Sequence, residues 1–322
     1  MNQQGGKVDG VFEGGGVKGI GLVGALSVFE EKGYEFVNVA GTSAGAIVAA
    51  LLAAGYTADE LKKISMSIGF STFTDPPLLG HIPFVGPVLN EIMRQGLYKG
   101  DALREFIRDL LAKKGVHTFG DLILPEYADK DRYRFKLRVV ASDITRRRKL
   151  VLPQDIKLYG MTPEDLDVSL AVRMSISIPF FFEPIKLKGS YIVDGGLLSN
   201  FPVEIFDSEG SPPWPTFGIK LVDEHNPIES MPHMINNPID ELAALFFTAI
   251  EAPSTYYLEN DKYVRTTKVD TLGIMTTDFN LSLEQKVALY DSGVHAARQF
   301  LEHWDFAKYI AEFRRQPTPS PR

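Results

Sequence analysis

Ser43 stands in Gly41-Thr42-Ser43-Ala44-Gly45, behind the apolar run Phe36-Val37-Asn38-Val39-Ala40 and ahead of Ala46-Ile47-Val48-Ala49-Ala50-Leu51-Leu52. The pattern predicts a strand, a sharp turn and a helix. A serine at such a turn is held out of the sheet with its hydroxyl exposed, and flanking glycines relieve the crowding. The helix that follows points its partly positive N-terminus at the place where negative charge develops in acyl transfer. The chemistry suggested is nucleophilic attack on a carbonyl carbon.

A glycine loop, Gly14-Gly15-Gly16-Val17-Lys18-Gly19, follows the short strand candidate Val8–Glu13. Gly14, Gly16 and Gly19 fit the spacing of a dinucleotide fingerprint, which also requires a carboxylate at the end of the next strand. That position reads Val39-Ala40-Gly41-Thr42, and Glu35 is at the wrong end. A phosphate loop fails as well, because Lys18 precedes Gly19 and no Lys-Ser/Thr pair follows. The better reading is an oxyanion hole, in which consecutive glycine amides converge on one point. If the first two strands are parallel neighbours, the loop and Ser43 open on the same sheet edge.

Serine needs a group to take its proton. The late histidines, His295 and His303, lie in an amphipathic helical run. Asp194, ending the apolar strand Tyr191-Ile192-Val193 and followed by Gly195-Gly196, is the better candidate. The competing reading of Asp194 is a turn former before glycine. Only one strand and one helix precede the nucleophile strand, which favours a two-residue site over an ordinary hydrolase triad.

The elements that must position these groups read as strand–helix–strand–helix over the first 55 residues, the opening of a mostly parallel α/β sheet. Helices are expected over 57–69, 101–114, 163–178, 238–251 and 282–303, and strands over 134–141 and 216–222. From Phe70 to Leu97 prolines 76, 77, 83 and 87 interrupt an apolar stretch. That stretch reads equally as an irregular core segment or as a lid over an acyl-binding cleft. Arg146-Arg147-Arg148-Lys149 reads as a solvated loop, with contact to anionic head groups as the alternative.

The chain of 322 residues is 44% hydrophobic and 23% charged, with a formal net charge of -7. This suits a globular protein and argues against nucleic acid as the main partner. There is no cysteine, which excludes disulfides, thiol catalysis and thiolate metal sites. The six histidines show no metal-ligand spacing. No signal peptide or membrane span is expected.

Together the three motifs resemble the patatin-like phospholipase family in its bacterial single-domain form. Gly14–Gly19 is similar to its oxyanion loop, Gly41–Gly45 to its nucleophile elbow, and Asp194-Gly195-Gly196 to its base motif. The likeness extends to Gly96–Gly100, Ala141-Ser142-Asp143, Ser175–Pro179, Leu198–Pro202, Gly218–Leu221 and Thr276–Phe279. It implies a three-layer α/β/α fold over residues 8–302; residues 303–322 read as a C-terminal extension whose proline-rich end, Pro317–Arg322, is expected to be a disordered tail. It also implies a calcium-independent lipid acyl hydrolase working through a Ser43–Asp194 dyad and an acyl-enzyme. The loop Gly14, Gly15, Gly16, Lys18 and Gly19 would form the oxyanion hole, and Lys18 would brace it or cap a helix edge. No cofactor or metal is implied; the partners are a lipid substrate and, transiently, a membrane surface, and the location expected is cytoplasmic, with a peripheral position at the membrane as the alternative. A thioesterase or small-ester hydrolase is the enzymatic alternative, and a nucleotide-binding regulatory protein the non-enzymatic one.

Overall fold

The computed structural model describes residues 5–69, 98–208, 210–223, 260–276 and 280–314, together with 235, 241, 244–246, 248–250 and 278. The proline-broken stretch and half of the helix expected over 238–251 lie outside the described residues.

The chain opens with β1 (Lys7–Phe12), α1 (Gly19–Glu31), β2 (Glu35–Thr42) and α2 (Ala44–Ala53). Next come α3 (Ala58–Ser67), α4 (Asp101–Lys113), β3 (Leu137–Asp143), β4 (Arg148–Leu152) and α5 (Val168–Ser175). The second half supplies β5 (Ile185–Leu187), β6 (Ser190–Asp194), the single turn α6 (Gly196–Ser199), β7 (Thr216–Val222), β8 (Thr266–Asp270) and α7 (Leu283–His303). Five strands run parallel in the order β3-β2-β1-β7-β8, and β4, β6 and β5 add an antiparallel flank. This is the mostly parallel α/β sheet expected.

Local chemistry sets the element ends. Thr57 and Glu60 form a reciprocal capping box, each side chain bonding the other's backbone amide at 3.2 and 2.8 Å. The helix expected over 163–178 is only Val168–Ser175, because the Asp167 carboxylate accepts the Leu170 amide at 2.6 Å and starts the helix there.

Strand alternation divides the core. Val8 and Phe12 of β1 join the main cluster under the helices, whereas Val11 and Ala40 face the opposite side against Phe206. Helices α1 and α7 cross in close contact: a Cβ on Gly24 would lie 2.0 Å from the Tyr290 carbonyl oxygen. Beyond residue 302 the chain still packs on this core, with Trp304 5.1 Å from Phe217 ring to ring and Tyr309 buried. Among the described residues no helix is long and apolar enough to cross a membrane.

Candidate active site

The register of β3 brings the candidate residues together. On one flank of β3, strand β2 pairs as far as Thr42↔Val140. At the next residue the same flank is taken over by β6, running the other way, with Ala141↔Asp194. The opposite flank is occupied by β4 throughout, with Val140↔Val151 and Ala141↔Leu150. Ser43, one residue past the end of β2, and Asp194, the last residue of β6, therefore meet head to head across the end of β2.

Ser43 takes φ 50° and ψ -123°, a conformation a non-glycine residue rarely adopts. Its amide donates to Ser175 Oγ at 2.9 Å, and Ser175 Oγ in turn donates to the Val140 carbonyl at 2.6 Å. Close passage of the backbone explains the neighbouring glycines. A Cβ on Gly45 would sit 2.2 Å from the Phe12 carbonyl oxygen, and one on Gly41 2.2 Å from that of Gly45. Ala44 begins α2, and Thr42 Oγ1 donates to the Ser199 carbonyl at 3.0 Å.

Asp194 is 2% exposed and Ser43 5%. Asp194 Oδ1 accepts the Gly196 amide at 2.7 Å, and Oδ2 has no hydrogen-bond partner of normal geometry among the described residues. Burial pushes the Asp194 carboxyl up to about 7, against the opposing pull of the Gly196 amide and the nearby Ser43 hydroxyl. A carboxylate with a value near neutrality is matched to proton transfer at ordinary pH. Gly195 is required because a Cβ there would lie 2.2 Å from the Val140 carbonyl oxygen and 2.9 Å from Thr42 Cγ2. Gly196 opens the short α6.

The glycine loop lies against Ser43: a Cβ on Gly14 would be 3.2 Å from Ser43 Cβ. Its amides are not equivalent. The Gly14 amide donates to the Asn200 carbonyl at 3.1 Å, and Asn200 Nδ2 donates back to the Gly14 carbonyl at 3.1 Å. Lys18 and Gly19 donate within the loop, to the Gly15 and Gly16 carbonyls. Gly15 and Gly16 are the two loop amides with no such acceptor among the described residues. The Gly14, Val17, Lys18 and Gly19 amides are committed to protein carbonyls in this conformation.

Behind the loop, Glu13 and Lys220 form a buried ion pair at 3.1 Å, with side-chain exposures of 2% and 3%. Glu13 Oε2 also accepts the Leu221 amide at 2.6 Å. Burial raises the Glu13 carboxyl, and Lys220 is the main opposing influence; Lys18 adds to it. Sequence reasoning assigned no role to Glu13, Ser175, Asn200 or Lys220. The available signal was a carboxylate closing an apolar strand and three polar residues within the secondary likenesses.

Two cavities meet at Ser43. One, of about 120 Å³, is apolar and lined largely by α1 to α4, with Ile47, Val48, Leu61, Ile64 and Phe106 among its walls. The other, of about 50 Å³, is more polar and lined by Gly14, Gly15, Lys18, Asp194 and Asn200. His295 and His303 are exposed on α7 and line neither cavity.

A family model described as patatin-like phospholipase matches residues 10–207. The chain belongs to the patatin-like phospholipase family. Protein YqhO of Bacillus subtilis strain 168 is 39% identical over 93% of this chain and 99% of its own length. The "Probable lipid hydrolase 463L" of invertebrate iridescent virus 6 is 28% identical over 61% of each chain. "Lysophospholipase NTE1" of Candida glabrata is 24% identical over 68% of this chain and 11% of that protein. Among solved structures, VipD from Legionella pneumophila superposes with a TM-score of 0.57 at 20% identity, over 92% of this chain and 66% of that one. The last likeness concerns the fold. Membership in the patatin-like phospholipase family makes the chain a lipid hydrolase by class.

Proposed function

We propose that this protein cleaves the carboxylic esters of long-chain lipids, phospholipids among them, through a Ser43–Asp194 dyad that needs no calcium. The observation that carries the reading is the strained Ser43, poised between an apolar and a polar cavity beside a buried carboxylate with one open oxygen.

Asp194 takes the Ser43 hydroxyl proton as Oγ attacks the ester carbonyl carbon. The resulting oxyanion is held by the Gly15 and Gly16 amides and by the N-terminus of α2, groups fixed before the reaction begins. Collapse breaks the ester C–O bond, and the alcohol leaves with the proton from Asp194. The acyl group stays on Ser43 with its hydrocarbon tail in the apolar cavity, and the alcohol departs through the polar one. Asp194 then takes a proton from water, whose oxygen attacks the acyl-enzyme. Collapse releases the fatty acid and returns the proton to Ser43. Gly14, Gly41, Gly45 and Gly195 permit the close backbone approaches this geometry needs. Lys18 belongs to the polar cavity wall.

The test is fatty-acid release from phosphatidylcholine vesicles, with a chelator present, by the native chain, Ser43→Ala and Asp194→Asn. Release by the native chain, reduced by about a thousandfold or more in both folded variants, supports the dyad. Undiminished release by folded Ser43→Ala would refute it. Cleavage restricted to short soluble esters or thioesters would move the substrate class away from lipid.

A further inference from the structure

Beyond the dyad, the same sheet edge carries a patch of excess positive charge. Strand β3 continues two residues past the Asp194 level, about 7 Å, to Asp143, and turns into β4 through Ile144–Arg147. The hairpin joining β5 to β6 turns at Lys188 and Gly189 beside it. The two tips are tied together: the Ile144 amide donates to the Tyr191 carbonyl at 3.1 Å, and the Tyr191 amide to Thr145 Oγ1 at 2.9 Å.

Residues 144–152 and 184–192 hold Arg146, Arg147, Arg148, Lys149, Lys186 and Lys188 and no carboxylate, in a chain whose net charge is -7. All six are exposed. Arg146 is 3.9 Å from the buried Asp143, and Lys149 4.0 Å from Glu204. Arg147, Arg148, Lys186 and Lys188 have no ion pair with a carboxylate among the described residues. Between these cations stand two exposed apolar groups, Ile144 at 46% and Tyr191 at 44%. The Lys186 ammonium lies 5.4 Å from the Tyr191 ring centre.

We propose that the paired tips of the β3–β4 and β5–β6 hairpins form a docking surface for an anionic phospholipid bilayer. Charge complementarity selects the occupant. Clustered arginine and lysine are attracted to acidic head groups, while an aliphatic and an aromatic side chain among them suit the boundary between head groups and acyl chains. The orientation fits as well, since the tips project from the sheet edge that holds Ser43 and Asp194. The surface deepens the lipid-hydrolase reading and rests on it for its biological purpose, but binding is measured separately from catalysis.

The experiment uses the full chain carrying Ser43→Ala, so that vesicles stay intact. Its co-sedimentation is compared with phosphatidylcholine vesicles and with an equal mixture of phosphatidylcholine and phosphatidylserine. The same chain with Arg147→Gln, Arg148→Gln, Lys186→Gln and Lys188→Gln is measured beside it. Salt-sensitive binding to the acidic vesicles, weakened about a hundredfold by the four neutral substitutions, is the expected result. Equal binding to neutral vesicles, or equal binding by the substituted chain, would overturn the proposal. Tighter binding to a DNA duplex or an acidic peptide than to the acidic vesicles would also overturn it. The four substitutions in a chain retaining Ser43 should leave cleavage of a soluble ester unchanged. If soluble and vesicular esters are both untouched by the native chain while acidic vesicles are still bound through the tips, the docking surface stands and the hydrolase reading falls.

Discussion

Asp194 carries opposite consequences for activity and stability. With its carboxyl held at about 7 by burial, it is mostly protonated below that pH and, in the proposed mechanism, cannot then take the serine proton. kcat/KM for a neutral ester should therefore rise with pH through about 7 with a one-proton slope, read from a pH profile on a soluble ester. The sign for stability is reversed. An acid whose folded value is raised from 3.8 favours the folded state below 3.8 and loses that contribution as pH climbs through about 7. Asp194→Asn should thus be inactive yet more stable than the native chain at pH 8, by roughly 2–4 kcal/mol. The difference should fade toward pH 4, as followed by thermal unfolding. Asp9, also buried and raised to about 7, adds a stability change in the same window but is present in both proteins. The buried Glu13–Lys220 pair makes a different demand. Lys220→Met alone strands a carboxylate behind the glycine loop and should destabilise by about 3–5 kcal/mol. Glu13→Gln with Lys220→Met should restore part of that loss in a denaturant titration.

Among the elements, the elbow and the cavity wall make separable predictions. Gly45→Ala forces a Cβ to within 2.2 Å of the Phe12 carbonyl oxygen, so α2 must shift away from β1. The expected outcome is a destabilisation of about 2 kcal/mol or more with loss of activity, measured by chemical unfolding and ester hydrolysis. Ser175→Ala removes both the acceptor for the Ser43 amide and the donor to Val140. It should cost about 1–3 kcal/mol and lower kcat more than it raises KM. Ile64→Trp fills the apolar cavity from α3 and should reduce kcat/KM for long-chain esters while sparing short ones.

The glycine loop, the elbow and the parallel pairing of β1 with β2 were legible in the sequence because each has a local signature: glycine spacing, an apolar run, a helix start. Three strands were not. β4 hides its buried Leu150 and Leu152 behind Arg148 and Lys149, and the basic run reads as a loop. β5 has three residues, and β8, Thr266–Asp270, is short and polar for a strand that pairs with β7. The division of labour among the loop amides was illegible for another reason: it depends on Asn200, which is 186 positions from Gly14.

At the scale of the whole molecule, the layers are locked by contacts that permit little adjustment. The α1–α7 crossing relies on Gly21, Gly24 and Gly293, where a Cβ on Gly293 would lie 2.0 Å from the Gly21 carbonyl oxygen. Gly24→Val should prevent the two helices from approaching and abolish folding, seen as loss of the cooperative thermal transition. A milder change at the Ser43-distal end, Trp304→Ala, removes the ring stacked on Phe300 at 5.5 Å and packed edge-on to Phe217. It should destabilise by about 3–5 kcal/mol with kcat unchanged in the folded fraction.

The exchange of β2 for β6 on one flank of β3 makes that strand a ruler shared by both halves of the proposed dyad. Ser43 and Asp194 lie 151 positions apart along the chain, yet their relative position is set by the single step from Val140 to Ala141. Evolution can therefore lengthen the connections between Lys113 and Leu137 and between Leu152 and Val168 without moving one reacting atom against the other. One residue inserted between Val140 and Ala141 would displace Asp194 by a whole step and turn every later side chain of β3 to the opposite face. Among relatives, length variation should accumulate freely in the connecting segments and be excluded from those seven positions of β3.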